Sequence, residues 1–116
     1  MMHGRPSTIK EFIKVTTVDD LAEGEMKGYT VGGEAILVAR IQGKYYAIND
    51  VCSHFFTLLS SGMLFPEKLE VECPLHESRF SLESGEPQSP PADTPVEAYS
   101  VRVEGNDICI GPKTAD

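Results

Sequence analysis

Two short segments concentrate the side chains able to hold a metal. Cys52-Ser53-His54 and Cys73-Pro74-Leu75-His76 gather two of the three cysteines and two of the three histidines into one ordered pattern. It reads C-x-H and then C-x-x-H, with residues 55–72 between. Two thiolates with two imidazoles suit zinc or an iron–sulfur centre. In a finger-type zinc site cysteine pairs with cysteine and histidine with histidine, whereas here each segment supplies one of each. Interleaving of that kind lets two matching loops clasp a binuclear cluster, both thiolates on one iron and both imidazoles on the other. Cys109, between Ile108 and Ile110, alternates as a strand residue and is expected to be a buried, inert thiol. His3 lies in a polar stretch and is expected to be solvated.

Strands must position these ligands. Glu11–Val15 reads as a first short strand, and Val18–Leu21 as a turn or one helical turn. Met26–Val31, closed by Gly32-Gly33, leads into Glu34–Ile41, the most apolar strand; Gln42-Gly43 then turns the chain into Lys44–Ile48. Near the end, Val96–Val103 alternates apolar with polar, and Gly105-Asn106-Asp107 turns it into Ile108–Ile110. No window carries a helical stripe longer than about three turns, so the fold class is all-β and antiparallel. Both Cys–His pairs fall between residues 50 and 94, read as two irregular loops around a short strand, Leu69–Glu72. Five of the eight prolines lie there too. Loops that long in a small domain are usually functional. The expected organisation is a flexible leader over 1–8 and a single domain over 9–116, with the metal-binding part over about 50–94.

Beyond the ligand pairs the chain carries Leu59-Ser60-Ser61-Gly62, Glu72-Cys73-Pro74-Leu75-His76, Arg79-Phe80, Ser84-Gly85-Glu86-Pro87, Pro90-Pro91-Ala92 and the closing Tyr99-x-Val101-Arg102-Val103-x-Gly105. On these motifs, from about Phe12 to Gly111, it resembles the Rieske-type ferredoxins of multicomponent aromatic-ring oxygenases. Among them it looks most like the ferredoxin of an angular dioxygenase such as the carbazole system. The resemblance implies a Rieske fold, a β-sandwich or barrel base carrying a cluster-binding subdomain of two loops. It also implies one [2Fe–2S] cluster ligated by Cys52, His54, Cys73 and His76. It further implies a one-electron carrier between an NAD(P)H-oxidising flavoprotein reductase and a terminal oxygenase, with no catalytic residue of its own. The residues after His54 and His76, usually glycine in such ferredoxins, are here Phe55 and Glu77. Respiratory relatives add a disulfide between the loops and a tyrosine hydroxyl, where this chain has non-cysteine residues near Thr57 and Leu75, and Phe80. Those differences place the expected potential toward the low end of the Rieske range, which runs from about −150 to +300 mV. Ser78 would raise it slightly by donating to the cluster. Phe55 and Phe56 would either shield the cluster or form a docking patch. Glu67, Glu70 and Glu72 are expected to be a solvated strand face first and a docking determinant second.

Composition narrows the function further. Ten basic against eighteen acidic side chains leave a net charge of −8. That disfavours nucleic acid and an anionic membrane surface, and favours basic protein partners. No apolar run reaches membrane-spanning length, and the start has no signal-peptide pattern. A cytoplasmic monomer is therefore expected. With four ligands assigned, only His3 remains, too few for the two-histidine site of a non-haem iron oxygenase. Two alternatives stay open: a Rieske subunit fixed permanently in a larger oxidoreductase, and a structural Cys2His2 zinc module.

Overall fold

The computed structural model describes residues 9–53, 57–75, 78–90 and 92–113. Among these there are nine strands and no α-helix: β1 (Ile13–Thr17), β2 (Glu25–Val31), β3 (Glu34–Ile41), β4 (Lys44–Asn49), β5 (Met63–Phe65), β6 (Glu70–Glu72), β7 (Arg79–Ser81), β8 (Ala98–Glu104) and β9 (Asp107–Pro112). Six form one antiparallel sheet in the order β1-β9-β8-β4-β3-β2, which curls into a nearly closed barrel. The other three form a small second sheet, β5-β6-β7.

The barrel's hairpins follow from their turn residues. Both Gly32 and Gly33 have positive φ, as do Gln42 and Gly43. That is the backbone a two-residue hairpin needs to match the twist of its strands. The strained Gln42 is held by Glu23, whose carboxylate accepts the Gln42 N–H and, at 2.9 Å, the Gly43 N–H. These two amides, that of Gly43 first, hold the Glu23 carboxyl below the usual range.

β3 explains its own apolar run. Its side chains alternate between two cores: Ile36 and Val38 join Ile108, Ile110 and Tyr99 inside the barrel, while Leu37, Ala39 and Ile41 face Val71, Phe80 and Leu82 of the second sheet and its surroundings. A strand buried on both faces has no polar side to show. β4 and β8 divide their residues in the same way, Ala47 and Tyr99 inward, Ile48 and Ala98 toward the second sheet.

No backbone ladder joins β1 to β2 among the described residues; side chains bridge that seam instead. Asp20, in the short 3-10 turn after β1, accepts hydrogen bonds from Tyr29 Oη (2.7 Å), Thr16 Oγ1 (3.0 Å) and Lys27 Nζ (3.2 Å).

The main correction concerns residues 50–94. The stretch is not two irregular loops around one strand, because β5 and β7 flank β6 in continuous register, Leu64 opposite Val71 and Val71 opposite Phe80. Three-residue strands carry too little alternation to be recognised locally; their pairing is a long-range event. Strand boundaries also move, most at β1, β8 and β9, which runs from Asp107 to Pro112. β1 begins at Ile13 and runs to Thr17, and β8 begins at Ala98, since the Val96 N–H bonds to the Gly85 carbonyl instead of entering the ladder. The stretch 1–8, read as a leader, lies outside the described residues.

Candidate metal centre

The first candidate ligand loop leaves β4 at Asp50, and its base is knitted on both sides. The Asp50 N–H donates to Ala35 O (2.8 Å), and the Leu59 N–H donates to Asp50 O (2.7 Å). The Asp50 carboxylate accepts the Ser60 N–H (2.7 Å) and the Ser60 hydroxyl (2.6 Å). Burial pushes the Asp50 carboxyl up, against the pull of both Ser60 bonds. Higher in the loop Val51 bridges Leu58, and the Cys52 N–H donates to Thr57 O at 2.9 Å.

The second loop repeats that closure between β6 and β7, where the Cys73 N–H donates to Ser78 O at 2.8 Å. Each cysteine thus starts a tip closed by the carbonyl five residues later, and each tip contains one of the two histidines. His54 and His76 themselves, with Phe55, Phe56 and Glu77, lie outside the described residues. Cys52 and Cys73 are buried thiols in the same apolar cluster, together with Leu37, Phe80 and Ala92. Two buried sulfurs on matched loops, each loop bearing an imidazole, fit the donor set of a histidine–cysteine [2Fe–2S] cluster.

The two loops approach each other closely at Gly62, just after the first. A Cβ there would stand 1.9 Å from the Glu72 carbonyl oxygen and 3.1 Å from Pro74 Cδ, on either side of Cys73. Only glycine admits that contact. On the second sheet, Arg79 lies over the Phe65 ring at 3.9 Å, with its Nε 3.3 Å from Glu72 and one terminal nitrogen 3.8 Å from Glu70. Glu70 and Glu72 are therefore not a solvated face: their side chains are 18% and 23% exposed and paired with Arg79. Glu67 is exposed, as read.

Ser78 is fully buried, and its hydroxyl oxygen accepts the Ala92 N–H at 2.8 Å. Cys109 sits in the core of β9. Burial, and then Glu104 and Asp107, push its thiol up, the reverse of what a ligand thiolate requires. Leu58, Met63 and Leu75, all on or beside the ligand loops, expose about half or more of their surface. Asp50 and the polar contacts of Ser53 and Ser78 escaped the sequence reading, because their partners are far away in sequence and follow no motif.

Residues 11–100 match the family model of the Rieske [2Fe-2S] domain. The chain is 38% identical over 97 residues to the ferredoxin component of biphenyl 2,3-dioxygenase from Rhodococcus jostii (strain RHA1), covering 84% of this chain and 89% of that protein. Among solved structures it is similar to the ferredoxin of carbazole 1,9a-dioxygenase from Nocardioides aromaticivorans IC177. The TM-score is 0.84 at 38% identity, over 90% of this chain and all of that one. It is similar as well, at TM-score 0.80 and 28% identity over 92% of this chain and 99% of the other, to a chain in the complex of reduced oxygenase and oxidized ferredoxin in carbazole 1,9a-dioxygenase. No helix of the described residues is long and apolar enough to cross a membrane.

Proposed function

The chain belongs to the Rieske [2Fe–2S] domain family, and from that premise we propose that Cys52 and Cys73 bind one iron and His54 and His76 the other. The observation that carries this assignment is the pair of matched closures, Cys52 to Thr57 and Cys73 to Ser78, below two buried sulfurs in one core. When bound, the cluster takes up and releases one electron at a potential that two neutral imidazoles make higher than four thiolates would.

The protein is an electron-transfer component of an aromatic-ring dioxygenase system, not the oxygenase. Its electron acceptor is the Rieske centre of a terminal oxygenase, a reading supported by the oxygenase–ferredoxin complex among its structural relatives. Its donor is an NAD(P)H-dependent flavoprotein reductase. The site of action is the cytoplasm, where the chain is a monomer; residues 9–116 form one domain, with the cluster-binding part over about 50–94. The net charge of −8 suits brief encounters with basic partners, which such a field accelerates. A subunit fixed in a larger oxidoreductase would instead keep Leu58, Met63 and Leu75 permanently covered. Gel filtration of the lone chain separates the two: a monodisperse monomer is expected, and self-association through that apolar surface would favour the fixed subunit.

The decisive experiment is low-temperature EPR of the dithionite-reduced protein. A rhombic signal with average g well below that of all-cysteine [2Fe–2S] ferredoxins is expected. A colourless, silent protein that iron and sulfide cannot reconstitute would turn the assignment to zinc.

A further inference from the structure

We propose that Ala92–Thr94 is a hydrogen-bonded strap that holds the two ligand loops together, anchored by Ser53 on the first loop and Ser78 on the second. The proposal rests on the assignment of those loops to one cluster. Ser53, the residue after Cys52, donates its hydroxyl to the Thr94 carbonyl. Two residues earlier the Ala92 N–H donates to the Ser78 hydroxyl oxygen, and Ser78 is the residue whose carbonyl closes the Cys73 tip. The strap therefore touches both loops within three residues.

Its own ends are fastened. Upstream, the Gln88 N–H donates to Arg79 O (2.6 Å) and the Arg79 N–H to Ser89 Oγ (3.0 Å), tying the approach to β7. Downstream, the Val96 N–H donates to Gly85 O (2.9 Å). Pro90 and Pro95 flank the strap with fixed φ, which lowers the entropy lost in holding it. The Ala92 side chain packs in the core cluster that contains Cys52 and Cys73. Closing each tip through its own cysteine amide shapes each loop but does not set one against the other. The strap and the Gly62 contact do that, and neither loop holds a further cysteine for a covalent tie. Ser53 and Ser78 are positioning residues in this arrangement.

The test compares the cluster-loaded protein with Ser53→Ala, Ser78→Ala and the double variant. Cluster loss is followed as bleaching of visible absorption with excess iron chelator, and amide exchange is read at Ala92. Each single variant should release its cluster about fivefold faster, the value of one net hydrogen bond. The double variant should be about as fast as either single one, because a strap cut at one end no longer connects the loops. Ser53→Thr, which keeps the hydroxyl, should restore the slow rate. Exchange at Ala92 should rise in Ser53→Ala although the Ala92–Ser78 bond is untouched. Single-variant rates equal to the wild type would overturn the strap, and so would rates that multiply to about twenty-five-fold in the double variant, the mark of independent sites. Indifference of Ala92 exchange to Ser53→Ala would overturn it too, and decides alone if Ser78→Ala does not fold. A wild-type protein that takes up no cluster would defeat the cluster assignment, while the exchange comparison still tests the strap.

Discussion

Cys73 and His76 sit three residues apart on one closed tip, yet their substitutions should fail in different ways. On the proposed assignment, Cys73→Ser exchanges a ligand thiolate for a hydroxyl that stays neutral, so the cluster should not assemble; Cys52→Ser should behave alike. Iron and sulfide content with the visible spectrum is the check, and a brown, reducible serine variant would contradict both assignments. With His76 as the proposed ligand, His76→Cys would replace a neutral donor with a charged one. If it retains a cluster, its potential should fall strongly toward the roughly −400 mV of all-cysteine plant-type ferredoxins. Potentiometry that finds no change would remove His76 from the ligand set.

Among the elements, the second sheet decides how closely the ligand loops meet. β6 delivers Cys73 from its end, β5 follows the first loop, and Gly62 lies at the crossing, with its missing Cβ directed at the Glu72 carbonyl. Gly62→Ala forces either that carbonyl or the first loop to retreat, at a cost of about 1–3 kcal/mol typical of overpacking. A lower Tm together with faster cluster loss is expected, and an alanine variant matching the wild type in both would show that the loops do not need this approach. Glycine after a serine pair is visible in the sequence, but its reason is not, since the atom it makes room for lies ten residues further along the chain, on β6.

For the whole molecule, the barrel seam is the feature most exposed to solution conditions. Hydrogen bonds from Tyr29, Thr16 and Lys27, in that order, hold the Asp20 carboxyl below its ordinary value of 3.8. A carboxyl that is more acidic in the folded chain than in the unfolded one stabilises the fold above its unfolded pKa. That contribution is lost as the pH falls through the folded value. Asp20→Asn should therefore lower Tm near neutral pH, and the gap to the wild type should narrow below about pH 4. Thermal melts across that interval test it; a gap independent of pH would mean that the Asp20 charge does not stabilise the seam.

Local patterns were sufficient for the barrel hairpins and for the nature of the site. Gly32-Gly33 and Gln42-Gly43 specify their turns through a backbone conformation that few residues tolerate, and the strand between them is recognisable from its apolar run alone. The ordered Cys–His pairs likewise announce metal chemistry, because ligand type is a property of the residue. What the tertiary structure alone decided is how those parts are placed. β5 and β7 exist because β6 lies between them, and Glu70 and Glu72 turned out paired because β7 brings Arg79 alongside. Ser53 and Ser78 found Thr94 and Ala92 across the loops. Ligand identity is encoded residue by residue, whereas pairing and hydrogen bonding between distant segments depend on loop closure and burial that no short window of sequence contains.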